Sequence, residues 1–396
     1  MKRILFVDDE SKILDGIRRM LYGDRQRWEM QFAVGAELAL KACEAGAFDV
    51  VISDMRMPEM DGATLLSKIR DLYPSTARII LSGYSEPELA TRALPVAHRF
   101  LSKPCNAVDL RSTIERTCTL QDLLSNPELR NIVGEVAKLP SLSSTYTSLT
   151  RAVDNPDSSI GSVSKIIEQD MAMSAKVLQL SNSAFFGLAK EVTSVSHAVS
   201  YLGMQTIKNL VLSAEVFSVF VPDGKTPLNC DLLQKHAHRT AAIVSKLPLD
   251  AKSREVAIAA SLLHDVGQLF LASKMPQKLS AAFDLAKQRG CELFEAEEEL
   301  LGSSHAEIGA YLMGLWGIPH LAVEAIAHHH RPARIAHSGL DSAAAVYVAH
   351  VLAHEPAASP DAWPKKSDQE CLEALGVWPQ FTEFRELAKQ AQAAAV

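Results

Sequence analysis

Within the first 120 residues, four short apolar runs each end on a residue that carries chemistry. ILFV (4–7) leads into Asp8 and Asp9, and VVI (50–52) leads through Ser53 into Asp54. IIL (79–81) leads into Ser82, and the weaker RFL (99–101) leads through Ser102 into Lys103 and Pro104. Between the runs, SKILDGIRRML and AELALKACEAG carry apolar residues at helical spacing. Alternating strand and helix patterns predict a parallel sheet with helices on both faces. In such a sheet, function sits outside the carboxyl ends of the strands. Three carboxylates, a hydroxyl and an ammonium are therefore expected to converge on one sheet edge.

Three neighbouring carboxylates repel one another and invite a hard cation, and Mg²⁺ suits oxygen ligands with waters and phosphate oxygens. A carboxylate is also a nucleophile towards phosphorus, giving an aspartyl-phosphate. The lysine and the hydroxyl would then hold phosphoryl oxygens. Singly, Asp8 or Asp9 fits a cap on the helix starting near Ser11, and Asp54 fits a turn residue before MRMPEMDG. Four strand ends in order are not explained that way. Together, Asp8-Asp9, Asp54 in DMRMPEMDG, Ser82 and Lys103-Pro104 make residues 1–121 resemble the receiver domain of bacterial two-component response regulators. The resemblance implies a flavodoxin-like domain with a five-stranded parallel sheet. It implies phosphotransfer from a cognate histidine kinase to Asp54, with Mg²⁺ at Asp8, Asp9 and Asp54. It also implies a cis bond at Lys103-Pro104, and Phe100 changing rotamer together with Ser82 and Lys103.

Past residue 120 the strand signals stop and the periodicity becomes helical. The chain has 396 residues, 47% of them hydrophobic, enough for two or three domains with real cores. Residues 122–130, DLLSNPELR, contain Asn-Pro and read as a linker, and 131–355 read as an all-α domain. Residues 356–396 read as a Pro-, Ala- and Ser-rich surface loop (EPAASPDAWPKKSD, from 355) and a last helical segment. The formal charge of −7 and the lack of a helix-turn-helix with a basic recognition helix argue against direct DNA binding. Six scattered cysteines with no CxxC fit reduced thiols in a cytoplasmic protein. The start, MKRILFVDDE, does not read as a signal peptide, and no apolar run approaches the ~20 residues of a membrane span.

The helical half is rich in histidine: of 13, all but His98 and His197 lie between 236 and 354. In LLQKHAHRTAAIVSKL, His236 shares a face with Leu233, Thr240, Ile243, Val244 and Leu247, and His238 does not. His264-Asp265 closes an Ala- and Leu-rich helix, and His305, the triplet His328-His329-His330 and His350 follow. Helical bundles build metal sites from inward side chains on separate helices. Imidazole and carboxylate suit Zn, Fe, Mn or Ni, and two metals can activate a water against a phosphodiester. A lone histidine on an apolar face is more often a hydrogen-bonded core residue, and His320 and His337 fall in that ordinary class or on the surface.

The order H…HD…H…HH resembles the HD superfamily of metal-dependent phosphohydrolases, with His236, His264, Asp265, His305, His328 and His329 at ligand positions. Three residues depart from that pattern. Gln268 stands for the expected lysine, His330-Arg331-Pro332-Ala333 has no GYP, and His350 stands for the downstream aspartate. LPSLSSTYTSL, NSAFFG and AVSYLG resemble the HDOD domain, an all-helical relative used as a signalling output module. Two functions remain in view. In the first, phosphorylation at Asp54 changes how the HDOD domain presents a surface to a downstream signalling protein or a second copy of the chain. In the second, the His/Asp cluster makes the protein a phosphorylation-gated phosphohydrolase or cyclic-dinucleotide phosphodiesterase. The departures favour the first.

Overall fold

The computed structural model describes residues 1–82, 93, 95–124, 126–136, 140–141, 143–155, 158–182, 191–212, 218–219, 228–337, 339–355 and 364–393. The first five strands are β1 (Lys2–Asp8), β2 (Trp28–Val34), β3 (Val50–Asp54), β4 (Ala77–Ser82) and β5 (Arg99–Ser102). They form one parallel sheet in the order β2-β1-β3-β4-β5. This is the flavodoxin-like order, with the reversal of strand order beside β1. β1, β3 and β4 read as near-continuous apolar runs because both their faces are covered; Ile4, Leu5, Phe6, Val50, Val51, Ile52, Ile79 and Ile80 are fully buried. β2 lies at the edge, and its WEMQFAV alternates buried and open positions. It carries no apolar run of the kind that marks the other four.

Around this sheet lie α1 (Ser11–Met20), α2 (Ala36–Ala45), α3 (Gly62–Leu72) and α4 (Ala107–Leu123). Asp61 caps α3, its carboxylate accepting from Thr64 N–H at 2.9 Å, and Asn106 caps α4 through Asp109 N–H at 2.9 Å.

Next come α5 (Pro127–Gly134), α6 (Ser143–Asp154), α7 (Ile160–Glu168), α8 (Met171–Ser181) and α9 (Val195–Leu212, kinked at Gly203). The rest of the bundle is α10 (Cys230–Lys246), α11 (Ala251–Leu263), α12 (Val266–Lys274), α13 (Pro276–Arg289), α14 (Leu293–Leu301), α15 (His305–Leu315), α16 (His320–His328) and α17 (Ser342–Ala353). Two helices close the chain, α18 (Lys366–Ala374) and α19 (Phe381–Ala393). The expected end of strand signals needs one correction: β6 (Pro140–Ser141) and β7 (Ser218–Val219) form a two-residue parallel pair. Ala251–Lys274 is long and apolar enough to cross a membrane, but 83% of its apolar window is buried in the bundle and His264-Asp265 interrupts it. Most of the NSAFFG segment and residues 356–363 of the surface loop lie outside the described residues.

The expected linker at 122–130 is mostly helical. α4 ends at Leu123 and α5 begins at Pro127, capped by Asn126, whose side chain also donates to Leu301 O at 3.1 Å. The two halves are packed together at this point. α15 lies against both α4 and α5, so closely that a Cβ on Gly314 would come within 2.4 Å of the Leu120 side chain. A Cβ on Gly134 would come within 2.0 Å of Pro74 O. Arg78 of β4 is fully buried there, donating to Val96 O (2.7 Å), Thr76 O (3.0 Å), Pro74 O (3.1 Å) and Gly134 O (2.6 Å).

Candidate functional site

Parallel pairing puts the strand ends level, so the residues that close β1, β3 and β4 fall on one edge. Asp8, Asp54 and Ser82 are those closing residues, all buried, and Lys103 follows β5. The Lys103 ammonium donates to Asp8 Oδ2 at 2.8 Å and makes an ion pair with Asp54 Oδ1. Arg56 N–H donates to Asp54 Oδ2 at 2.9 Å, and Glu10 N–H to Asp8 Oδ1 at 2.9 Å. Lys103 N–H donates to Ser82 O at 2.8 Å, and the Lys103-Pro104 bond is cis. Asp9 is exposed beside this group and Phe100 is buried. Burial pushes the Asp54 carboxyl up from its ordinary value; Lys103 pulls it back, Asp8 pushes it up further and Arg56 N–H lowers it. Burial alone would lower Lys103, but its bonds to Asp54 and Asp8 raise it above its ordinary value. The ammonium thus balances two buried carboxylates, and a hard divalent cation suits the same oxygens together with Asp9. Gly62 makes the close approach possible: a Cβ there would fall 2.1 Å from Asp54 O.

The second site gathers residues from five parts of the bundle. His236 comes from mid-α10, and His264-Asp265 from the turn between α11 and α12. His305 opens α15, His329 and His330 follow α16, and His350 and His354 end α17. His264 Nδ1 lies 2.7 Å from Ser261 O, His329 Nδ1 2.7 Å from Ile326 O, and His305 Nδ1 2.6 Å from Glu297 Oε2. Each of these nitrogens carries the proton, which leaves Nε2 of all three rings as a lone pair. The three Nε2 atoms converge on Asp265, at 3.3 Å for His264, 3.3 Å for His305 and 3.8 Å for His329. Nε2 of His329 has no hydrogen-bond partner though it is buried. Gln268 donates to Asp265 Oδ1 at 3.0 Å from the position where the lysine was expected.

Three lone pairs aimed at a buried carboxylate are repulsive without a cation between them. The donor set, with outer nitrogens fixed by carbonyls and a carboxylate, fits a transition-metal ion. Without one, protonation answers part of the demand. Burial lowers His305, but Glu297 and Asp265 more than offset this and hold its ring up at about 10. Burial and neighbouring rings keep His329, His330 and His350 well below the ordinary histidine range, so they stay neutral. A cavity of about 1030 Å³ opens onto this group between α14, the segment Arg331 to Arg334, α17 and α18.

Of the histidines expected here, the structure brings together His236, His264, His305, His329 and His350, with Asp265. It does not bring in His328, which is half-buried and belongs to none of the metal-capable groups found among the described residues. One residue along a helix turns a side chain by about 100°, so the inward pair is His329-His330 rather than His328-His329. His330 Nε2 lies 3.0 Å from His305 Nε2. His330, His354 and Glu297 were not singled out as ligands; the i, i+4 spacing of His350 and His354 was the available signal. His320 is exposed, and His337 lies 3.0 Å from Asp341 Oδ2, as ordinary histidines do.

The family of response regulator receiver domains matches residues 4–115, and the HDOD domain family matches residues 139–332. The chain belongs to the response-regulator family, as a receiver joined to an HDOD domain. An uncharacterized protein of Treponema pallidum (strain Nichols) is 29% identical over 204 residues, 50% of this chain and 39% of its own length. The uncharacterized transcriptional regulatory protein YesN of Bacillus subtilis (strain 168) is 37% identical over 126 residues, 29% of this chain and 32% of its own. The chain thus spans well under half the length of these curated relatives. A solved structure of a virulence factor from Campylobacter jejuni aligns with a TM-score of 0.52 at 20% identity, covering 67% of this chain and all of that one, a likeness of fold. The receiver match contains every strand-end residue of the first site. The HDOD match ends before His350 and His354, so the last ring donors and α17 to α19 lie beyond it.

Proposed function

We propose that phosphoryl transfer from a histidine kinase to Asp54, with Mg²⁺ held by Asp8, Asp9 and Asp54, controls how the HDOD domain meets a partner protein in the cytoplasm. The observation that carries this reading is the Lys103 ammonium spanning Asp8 and Asp54 at the sheet edge, four residues before α4, the helix packed on α15. A phosphoryl group adds about −1.5 to −2 of charge and three acceptor oxygens. Lys103 must redistribute its bonds towards it, Ser82 supplies a hydroxyl, and Phe100 repacks beside them. The chain from Lys103 through α4 then passes the change to the HDOD domain. Shifting a two-state arrangement needs only a few kcal/mol of difference between its states.

Acetyl phosphate with Mg²⁺, followed by mass spectrometry, tests the acceptor. We expect label at Asp54 in the wild type and none in Asp54→Asn. Full label in that variant would overturn the assignment.

A second reading is favoured by the ring nitrogens gathered around Asp265, the buried His329 Nε2 having no hydrogen-bond partner. His264, Asp265, His305 and His329 would hold a transition-metal ion, which supplies Lewis acidity towards a phosphoester when bound. The chain's own residues fix that set: Ser261, Ile326 and Glu297 set the tautomers, and Gln268 orients Asp265. Gln268 carries no charge where a lysine would pair with a phosphate, which favours interaction over hydrolysis as the output. Elemental analysis of protein purified without chelator, then a cyclic-dinucleotide hydrolysis assay with Mn²⁺ and Fe²⁺, separates metal binding from catalysis.

A further inference from the structure

α14 (Leu293–Leu301) makes one wall of the cavity beside the ring cluster. It lies between two glycines in the left-handed region, Gly290 at φ +65° and Gly302 at φ +75°. A Cβ on either would meet nothing within 4 Å, so glycine serves the backbone angle there and not a close approach. A left-handed glycine is the ordinary stop of a helix. What sets this pair apart is the helix between them. Of its nine residues only Ala296, Glu297 and Leu301 are buried, and Leu301, at the Gly302 end, is the one large apolar side chain among them.

Across the cavity, α14 is tied by side chains. Lys365, at the start of α18, makes an ion pair with Glu292, the residue before α14. The Phe294 ring stacks on His330 with centroids 4.4 Å apart, and the Arg331 guanidinium lies 4.9 Å from the Phe294 centroid. Glu298 pairs with Arg331 at 2.7 Å and with Arg334 at 3.8 Å. These ion pairs reach solvent, where such pairs hold weakly. The inner catch is Glu297, whose Oε2 accepts from His305 N–H at 2.7 Å. At the far end, the Asn126 amide donates to Leu301 O at 3.1 Å. Asn126 stands between α4 and α5, so the last residue of α14, beside Gly302, is fastened to the junction of the two domains.

We propose that α14 is a flap that opens the cavity by swinging on Gly290 and Gly302, and that the receiver works it through Asn126. In the closed position Phe294 covers His330 and the catch at Glu297 is made. Outward movement breaks the weak outer ties first, uncovers His330 and widens the way to the ring cluster. A shift of the chain between α4 and α5 pulls on Leu301 O, next to one hinge. The flap stands on its own geometry, and its control by the receiver rests on the phosphoryl reading above.

Two variants separate the flap from its control. Glu298→Gln removes the pairs with Arg331 and Arg334 and leaves the buried face of α14 unchanged. Asn126→Asp keeps the oxygen that caps α5 and loses the amide that donates to Leu301 O. Hydrogen exchange by mass spectrometry on the full chain with Mg²⁺ reads residues 293–301. Labelling by N-ethylmaleimide reads Cys371, on the α18 wall of the cavity. In Glu298→Gln we expect both to rise about two- to fivefold, the worth of an exposed ion pair, with exchange in residues 230–274 unchanged. No rise at either place, or a rise shared by 230–274, would overturn the flap. With beryllium fluoride, wild type is expected to gain exchange in 293–301. Asn126→Asp is expected to lose that gain and keep the response around Asp54. A wild-type response around Asp54 with none in α14, or a gain in α14 that Asn126→Asp keeps, would overturn the control through Asn126. No response around Asp54 in wild type would overturn the phosphoryl reading and the control with it, the Glu298→Gln result still deciding the flap.

Discussion

A carboxylate at the end of β3 is costly to bury, and the residues around Asp54 decide what it does with that cost. Lys103 lies against it, Arg56 N–H donates to it, and Gly62 lets the following loop pass within van der Waals reach of its carbonyl. Gly62→Ala places a methyl 2.1 Å from Asp54 O, where backbone has to move. We expect a loss of stability of about 1–3 kcal/mol, read from urea unfolding, and slower labelling by acetyl phosphate. His98 gives a prediction about pH. Its Nδ1 accepts from Arg78 N–H at 3.1 Å, and its Nε2 lies 2.8 Å from the Arg78 guanidinium and 3.3 Å from Gly134 O. Burial, and then the Arg78 charge, holds its folded pKa well below the ordinary 6.5. The unfolded chain therefore binds more protons than the folded one below pH ~6.5. The stability that His98 contributes is full above that pH and is lost as pH falls through and below it. Thermal unfolding from pH 7.5 to 5 should fall less steeply in His98→Gln than in wild type, and equal slopes would contradict this.

At the residue scale, legibility followed chain neighbourhood. Asp8, Asp54, Ser82 and Lys103 each stand directly after a run that announces a strand, so their meeting was readable. His329 and His330 were one register away from the expected pair because they follow the end of α16, where a single residue decides direction. Glu297 was invisible because its role is to hold a proton on a ring eight residues later.

Between elements, the decisive contact is α15 on α4 and α5. Leu120 and Gly314 are in close contact, and Arg78 ties β4 to the last carbonyl of α5 at 2.6 Å. A guanidinium at a helix C-terminus is favoured by the helix dipole, and here it takes five carbonyl and ring contacts in place of a carboxylate. Burial lowers Arg78 to about 9. Gly134→Ala forces a methyl to within 2.0 Å of Pro74 O and should pry α5 from β4. We expect increased proteolysis between residues 107 and 136 at unchanged Asp54 labelling; unchanged cleavage would show that α5 does not need that contact. Sequence patterning read 122–130 as a linker because Asn-Pro marks a turn. Asn126 is in fact a helix cap, and Pro127 occupies the first turn, where proline is tolerated. β2 was hidden for a different reason: an edge strand shows alternation, and Glu29 and Gln31 interrupt its run.

For the whole molecule, the sheet edge, α4, α15 and the ring cluster form one line of packed elements. His305 is the first residue of α15 and its main chain sits against Gly267, where a Cβ would come within 2.0 Å of His305 O. A repacking that tilts α4 is therefore felt at the start of α15. Alternation and histidine spacing made two domains readable, but nothing in either pattern told that they touch, since an interface of this kind is built from apolar residues such as Leu120 that read as core.

Hydrogen exchange by mass spectrometry, on the full chain with Mg²⁺ and with or without beryllium fluoride as a phosphate mimic, tests this account most directly. In the wild type, the mimic is expected to change exchange in residues 107–134 and 305–315 as well as around Asp54, and in Asp54→Asn to change nothing. A response confined to residues 1–106, or one that persists in Asp54→Asn, would contradict the claim that the phosphoryl signal reaches the HDOD domain through α4.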